Sequence, residues 1–313
     1  MEVKSCSVLL VTYEKFAQSE NKSPRTIEST TLAVRKFQEF LDGCDDVGQV
    51  TADDLRRYIR HLQSRPRWTD HPTVKRRDGF LSPHSVAHHV RHIRAFWSWL
   101  KFEGFTENNP FEFVKPPKAP RKIVKTLSVE QVTLLISVIP RDTHLGFRDR
   151  TIIRTLYGTG LRISELLNIK LDDVDFGTGQ IKVIVKGGRE RVIFISASVY
   201  KAMFKYRQRW RPDVSSHYFF VGNSGRPPSR SNIAHKMHGY GRKAGITNAR
   251  CTPHTLRHSF AVQFLRNGGG EFTLQHILGH STLAMTRHYA ELANDDIEVK
   301  LKMFSPAELI KTY

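Results

Sequence analysis

Apolar residues recur along the first hundred positions at intervals of three and four, the period of a helix with one buried face. After Ser23-Pro24, a capping residue followed by a proline at the first helical position, Ile27, Val34, Phe37 and Leu41 predict a helix from about 24 to 41. Thr51, with Asp54 three positions on, forms a capping-box variant ahead of Leu55, Tyr58, Ile59 and Leu62. Ser82-Pro83 opens the strongest stripe, in which Val86, Val90, Ile93, Trp97 and Leu100 step by 4, 3, 4 and 3. With a first helix near 7 to 19, residues 1–115 are expected to form a four-helix bundle.

The segment PPKAPRKIVK, 116–125, carries three prolines and four cations, which favours an extended connector between two domains. Beyond it, 128–139 and 147–157 have helical patterning, and LRISELLNI reads as a short third helix. IKVIVK (181–186) and RVIFIS (191–196) are β-rich runs about Gly187-Gly188 and predict a small hairpin. Helices resume at about 198–208, 229–243, 253–266, 271–279 and 282–290. The expected fold class is mainly α in two domains: the four-helix bundle, then a mostly helical domain over 126–313 with a small antiparallel β-sheet. A length of 313 residues with a 39% hydrophobic fraction suits two ordered domains, each with its own core.

Charge narrows the partners. Lys and Arg total 49 against 30 Asp and Glu, a net charge of +19, which points to a polyanion. No apolar run approaches the roughly 18 residues a membrane span requires, and the N-terminus shows no signal-peptide pattern, so nucleic acid ranks above membrane. Between 56 and 94, Arg56, Arg57, Arg60, Arg65, Arg67, Lys75, Arg76, Arg77, Arg91 and Arg94 oppose only Asp70 and Asp78. A solvated face is the ordinary explanation of such a run. The sharper one is a DNA-facing edge in which Arg65, Arg67, Lys75, Arg76, Arg77, Arg91 and Arg94 meet phosphates, with the Pro- and charge-rich 64–82 as a long basic loop. In HSVAHHVRHIR, His84, His88 and His92 stand at metal-ligand spacing, but no carboxylate or cysteine completes a shell, so no metal site is expected. Cys6, Cys44 and Cys251 are far apart and odd in number, as suits a reducing, cytoplasmic compartment.

Candidate chemistry gathers near the C-terminus, where Tyr289 lies nine positions after His280 in LGHSTLAMTRHYA. At pH 7 only about 0.1% of a free Tyr is phenolate, and ionising it costs about 4 kcal/mol. Attack on a phosphodiester would need a base for the phenol, cations for the transition state and an acid for the leaving oxygen. Single motifs decide nothing: the His254-x-x-Arg257 pair recurs at His88 and Arg91, and an isolated Tyr is more often a packed aromatic. The ordered set GTGLRISEL with Arg162, VKGGRERV with Lys186, HTLRHSF with His254 and Arg257, LGHS with His280, and RHYA with Tyr289 is far more specific.

Over about Gly158 to Ala290 this set closely resembles the tyrosine site-specific recombinases, the Xer and phage-integrase superfamily. The resemblance implies that Tyr289 attacks the scissile phosphate and forms a 3′-phosphotyrosyl link, that Arg162 and Arg257 hold the non-bridging oxygens, and that Lys186 protonates the leaving 5′-oxygen. It further implies His254 as general base or relay, His280 as a phosphate hydrogen bond, and Glu165 as the acid that orients the arginines. VKGGRER departs from the family's more familiar lysine-turn pattern, so Arg189 competes with Lys186 for its role. The N-terminal part matches only in layout, as a SAM-like core-binding domain that clamps double-stranded DNA. No metal or ATP is required, because the covalent link conserves the phosphodiester bond energy. Also implied are a homotetramer on the DNA recombination site formed from free monomers or dimers, a C-terminal trans-docking helix at about 294–310, accessory directionality proteins and a nucleoid-associated location. The compact layout, without an arm-binding domain, fits integration or excision of a mobile element or Xer-like resolution.

Three rivals remain at the level of sequence. A non-catalytic DNA-binding protein has no use for the ordered set. A metal-dependent nuclease would need an acidic cage, for which Asp172, Asp173 and Asp175 are the best but turn-like candidates. A type IB topoisomerase would share the chemistry.

Overall fold

The computed structural model describes residues 5–67, 77–118, 120, 125–185, 188–279, 282–283, 286–287, 289–290 and 305. The chain divides into two compact units, Met1–Lys122 and Ile123–Tyr313. The first contains four long helices, α1 (Cys6–Ser19), α2 (Pro24–Phe40), α3 (Ala52–Ser64) and α4 (Pro83–Phe102). Their starts follow the capping residues: the side chains of Ser5, Ser23, Thr51 and Ser82 each accept a backbone N–H from the first turn, and Thr51 with Asp54 closes a full capping box. The apolar stripes meet in one aromatic core built on Tyr13, Phe37, Tyr58, Phe96, Trp97 and Phe111. Its rings pack edge-on, with Trp97 and Phe111 centroids 4.8 Å apart.

The basic segment between α3 and α4 is more ordered at its base than a loop. Strand β1 (Pro66–Arg67) pairs antiparallel with β2 (Arg77–Phe80), and Leu81 N donates to Arg65 O at 3.1 Å. Proline at 66 and charge at 67 and 77 masked the pairing in the sequence, since both oppose a strand assignment.

The second unit holds α5 (Val129–Ser137), α6 (His144–Thr159), α7 (Ile163–Leu167), a three-stranded antiparallel sheet, and α8 (Ala197–Lys205), which widens into a π-helical turn at Tyr206–Trp210. The sheet consists of β3 (Val174–Asp175), β4 (Gln180–Ile184) and β5 (Glu190–Phe194), in the order β3-β4-β5. Helices α9 (Arg230–Lys243), α10 (Pro253–Arg266) and α11 (Glu271–Leu278) follow, and Thr286, Arg287, Tyr289 and Ala290 are helical. Of the expected C-terminal helix at 294–310 only Ser305 is among the described residues, and it is not helical.

A buried ion pair ties α6 to α9. Arg148 donates through Nε and Nη2 to Asp149 Oδ1, while Lys236 and the Tyr240 hydroxyl donate to Oδ2, both at 2.9 Å. Every Asp149 oxygen is thereby matched, as a carboxylate 2% exposed requires. Among the described residues no helix is long and apolar enough to cross a membrane.

Candidate active site

The site begins where α6 stops. Gly160 adopts a left-handed conformation at φ 65°, and a Cβ there would lie 2.4 Å from the Phe260 ring. Only glycine meets both conditions, so the chain turns sharply and delivers Arg162 to the N-cap of α7. Glu165, three residues on and 6% exposed, accepts the Arg162 backbone N–H at 3.0 Å and its Nη1 at 2.7 Å. One carboxylate therefore fixes both the main chain and the side chain of Arg162.

On α10, capped by Thr252 and opened by Pro253, Arg257 points into the protein and is 5% exposed. Its Nη1 donates to Gly160 O at 2.6 Å and its Nη2 to Leu278 O at 2.8 Å. Both acceptors are carbonyls at helix ends, which lack intrahelical partners and attract cations. Two of the five guanidinium N–H groups are thus committed. Burial, then the nearby Arg162, pulls the Arg257 pKa down to about 10, so it remains charged at neutral pH.

One residue further, His258 Nδ1 lies 2.7 Å from the Tyr289 hydroxyl. Tyr289 is 6% exposed and packs in a small core with Ala261, Val262, Leu265, Leu274 and Leu278. Burial raises its pKa, against the opposing pull of Arg257 and Arg162. The phenol is therefore held neutral, hydrogen-bonded and beside cations. His254, on the first turn of α10, is exposed. It sits one helical turn before His258 and on the same face.

A further cation enters from the sheet. Arg191, at an inward position of β5, donates through Nη2 to Glu165 Oε2 at 3.3 Å and through Nη1 to Ile277 O at 2.6 Å. Sequence reasoning named neither His258 nor Arg191. For His258 the available signal was its i, i+4 relation to His254; for Arg191 it was a charge in an inward register of a strand.

Lys186 and His280 lie outside the described residues, as do Lys75, Arg76 and the side chains of Arg67 and Arg77. In the first unit Arg65 caps α3, and Arg91 and Arg94 lie on α4; Arg94 Nη2 donates to Glu112 O at 3.0 Å. The acidic run is occupied by local turns: Asp173 accepts Lys170 N, and Asp175 accepts Gly177 N and the Thr178 hydroxyl. On α4, His88 Nε2 and His92 Nε2 are 3.2 Å apart, and Thr30 Oγ1 is 2.8 Å from His92 Nδ1.

The comparison with known proteins accords with this arrangement. The model of the phage integrase family matches residues 125–295, the span that contains Arg162, Glu165, Arg191, Arg257 and Tyr289. The chain belongs to the phage integrase family. Tyrosine recombinase XerA of Thermococcus kodakarensis is 35% identical over 302 residues, covering 96% of this chain and 95% of its own. Tyrosine recombinase XerD of Listeria innocua is 30% identical over 268 residues, covering 81% of this chain and 90% of its own. The crystal structure of XerH site-specific recombinase bound to a palindromic difH substrate, in a post-cleavage complex, shares the fold, with a TM-score of 0.71 at 20% identity over 96% of this chain and 84% of that one. The protein is thus an enzyme of site-specific DNA recombination, one that breaks and rejoins DNA strands, and DNA is the partner its positive charge anticipates.

Proposed function

We propose that this recombinase cuts DNA by attack of the Tyr289 hydroxyl on the scissile phosphate, forming a 3′-phosphotyrosyl link and releasing a 5′-hydroxyl. The observation that carries the assignment is the buried Tyr289 hydroxyl, 2.7 Å from His258 and one residue along α10 from Arg257. His258 takes the phenol proton, and exposed His254 serves as a relay on the same helix face. Arg162 and Arg257 bind the non-bridging oxygens with the donors not committed to Glu165, Gly160 and Leu278. Lys186 protonates the leaving oxygen and His280 adds a hydrogen bond to the phosphate. Rejoining reverses these steps with a 5′-hydroxyl from a second duplex, through a Holliday junction.

The assignment accounts for the raised pKa of Tyr289. Burial keeps the phenol protonated before DNA arrives, and proton transfer accompanies attack, when the developing phosphorane charge meets the guanidinium cluster. Residues 1–115 clamp the DNA, with Arg65, Arg67, Lys75, Arg76, Arg77, Arg91 and Arg94 on phosphates, and 126–313 form the catalytic domain. Four copies assemble on the recombination site, and the segment 294–310 docks on a neighbouring copy. The setting is the cytoplasm, at the nucleoid, with accessory proteins setting direction. The names of the XerA and XerD relatives support Xer-like resolution, with mobile-element integration as the second use.

Relaxation of supercoiled DNA and strand exchange, each measured in EDTA, test this reading. Activity should persist without divalent metal and vanish in Tyr289→Phe; cleavage that stops in EDTA would instead mark a metal-dependent nuclease.

A further inference from the structure

Arg191 is an unusual residue for its place. On β5 the exposed positions are Glu190, Val192 and Phe194, and the alternate register turns inward to buried Ile193. An inward position in a short strand ordinarily takes an apolar side chain. Here it takes a guanidinium that is 9% exposed, whose pKa is lowered, chiefly by burial. Its Nε has no acceptor among the described residues, so its hydrogen bonding is incomplete. A charge buried at that cost calls for a compensating role.

Its contacts define the role. Nη2 reaches Glu165 Oε2, the oxygen that also accepts the Arg162 backbone N–H. Nη1 reaches Ile277 O at 2.6 Å and His276 O at 3.4 Å, in the last turn of α11. The next carbonyl of that turn, Leu278 O, is bonded by Arg257. Gly279 follows at φ 63°, and a Cβ on it would lie 2.6 Å from Arg191 Nη1. One side chain thus touches the carboxylate that orients Arg162 and the helix end moored by Arg257. Its own strand is paired with β4, Val183 to Arg191, one step before the Ile184–Glu190 pair that ends the ladder.

We propose that Arg191 is a positioning residue for strand transfer, a bracket that holds the hairpin, the Glu165–Arg162 pair and the end of α11 in one reactive arrangement. The bracket touches no DNA: its reach is spent on Glu165 and the α11 carbonyls. It acts by narrowing the geometry in which Arg162, Arg257 and the Lys186 turn meet the phosphate. A misplacement of about 1 Å in such a site costs about 100-fold in rate. The inference rests on the catalytic reading given above.

The test uses the full-length protein at saturating concentration on a nicked half-site, which traps the covalent intermediate. Arg191→Lys and Arg191→Met should slow covalent complex formation by about 100-fold, with half-site Kd within about twofold and an unchanged melting temperature in at least the lysine variant. Glu165→Gln should also be slow, and the double variant Glu165→Gln with Arg191→Met should lose less than the product of the two single losses, because the two share the Glu165–Arg191 bond. Multiplying penalties, or native rates in both Arg191 variants, would overturn the bracket. So would parallel loss of melting temperature, DNA binding and rate in both variants, the signature of a residue that only stabilises the fold. Tyr289→Phe serves as the control: a covalent complex in that variant would sink the catalytic reading itself, whatever Arg191 does.

Discussion

At the scale of single residues, the site joins two opposed requirements on Tyr289. Packing among Leu265, Leu274 and Leu278 fixes the ring, and the same burial raises the phenol pKa. The hydroxyl then depends on a partner to lose its proton, and His258 Nδ1 is in place at 2.7 Å. We predict that His258→Ala slows covalent attachment by about 100-fold at unchanged half-site affinity, whereas His254→Ala costs less, as single-turnover rates would show; equal losses would assign the two histidines equal weight. Arg162 and Glu165, Arg257, and Tyr289 could be picked out as candidates from the sequence because they sit in three local motifs, GTGLRISEL, HTLRHSF and RHYA. His258 was hidden by its neighbour, since in HTLRHSF the His-x-x-Arg pair accounts for the stretch without it. Arg191 was hidden by distance: its partners, Glu165 and Ile277, are brought to it only by the folded sheet.

Among the elements, caps and apolar periods read well. The helix expected at 24–41 is Pro24–Phe40, that at 253–266 is Pro253–Arg266, and the hairpin strands expected at 181–186 and 191–196 are Gln180–Ile184 and Glu190–Phe194. The strand Val174–Asp175 and the pairing of Pro66–Arg67 with Arg77–Phe80 were not legible, because strands of two to four residues carry too little of a period. Gly160 is the element-level pivot of the site. Gly160→Ala meets both a left-handed φ and a ring 2.4 Å away, and should destabilise the protein by about 2 kcal/mol or more, measured by denaturant unfolding; a neutral substitution would mean that the α6–α7 turn relaxes freely. Helix α4 supplies a pH dependence. Burial first, and then Lys36, lowers the His89 pKa to about 4. Between about 4 and the ordinary value near 6.5 the unfolded chain binds the extra proton, so stability rises with pH through that window and the contribution is complete above it. His89→Gln should flatten the stability profile from pH 4 to 6.5, and an unaltered slope there would contradict the assignment.

For the whole molecule, a net charge of +19 makes DNA affinity a salt-dependent quantity. Each phosphate contact contributes a slope of about −0.9 in the logarithm of affinity against that of salt. Replacing Lys75, Arg76 and Arg77 together by Gln should therefore reduce the slope by about 2 to 3 in half-site titrations; an unchanged slope would place these three away from the backbone. Deleting 295–313 should weaken assembly of paired sites more than binding to one half-site, seen by gel shift. Unchanged pairing would contradict docking by the tail. Cleavage itself comes down to a single bond, between the Tyr289 oxygen and the scissile phosphorus. Trapping the covalent complex on a nicked half-site, digesting it and sequencing the peptide that carries the nucleotide tests that bond directly. One modified peptide is expected, with the 3′-phosphate on Tyr289; a link to any other residue, or none, would overturn the assignment of Tyr289 as nucleophile.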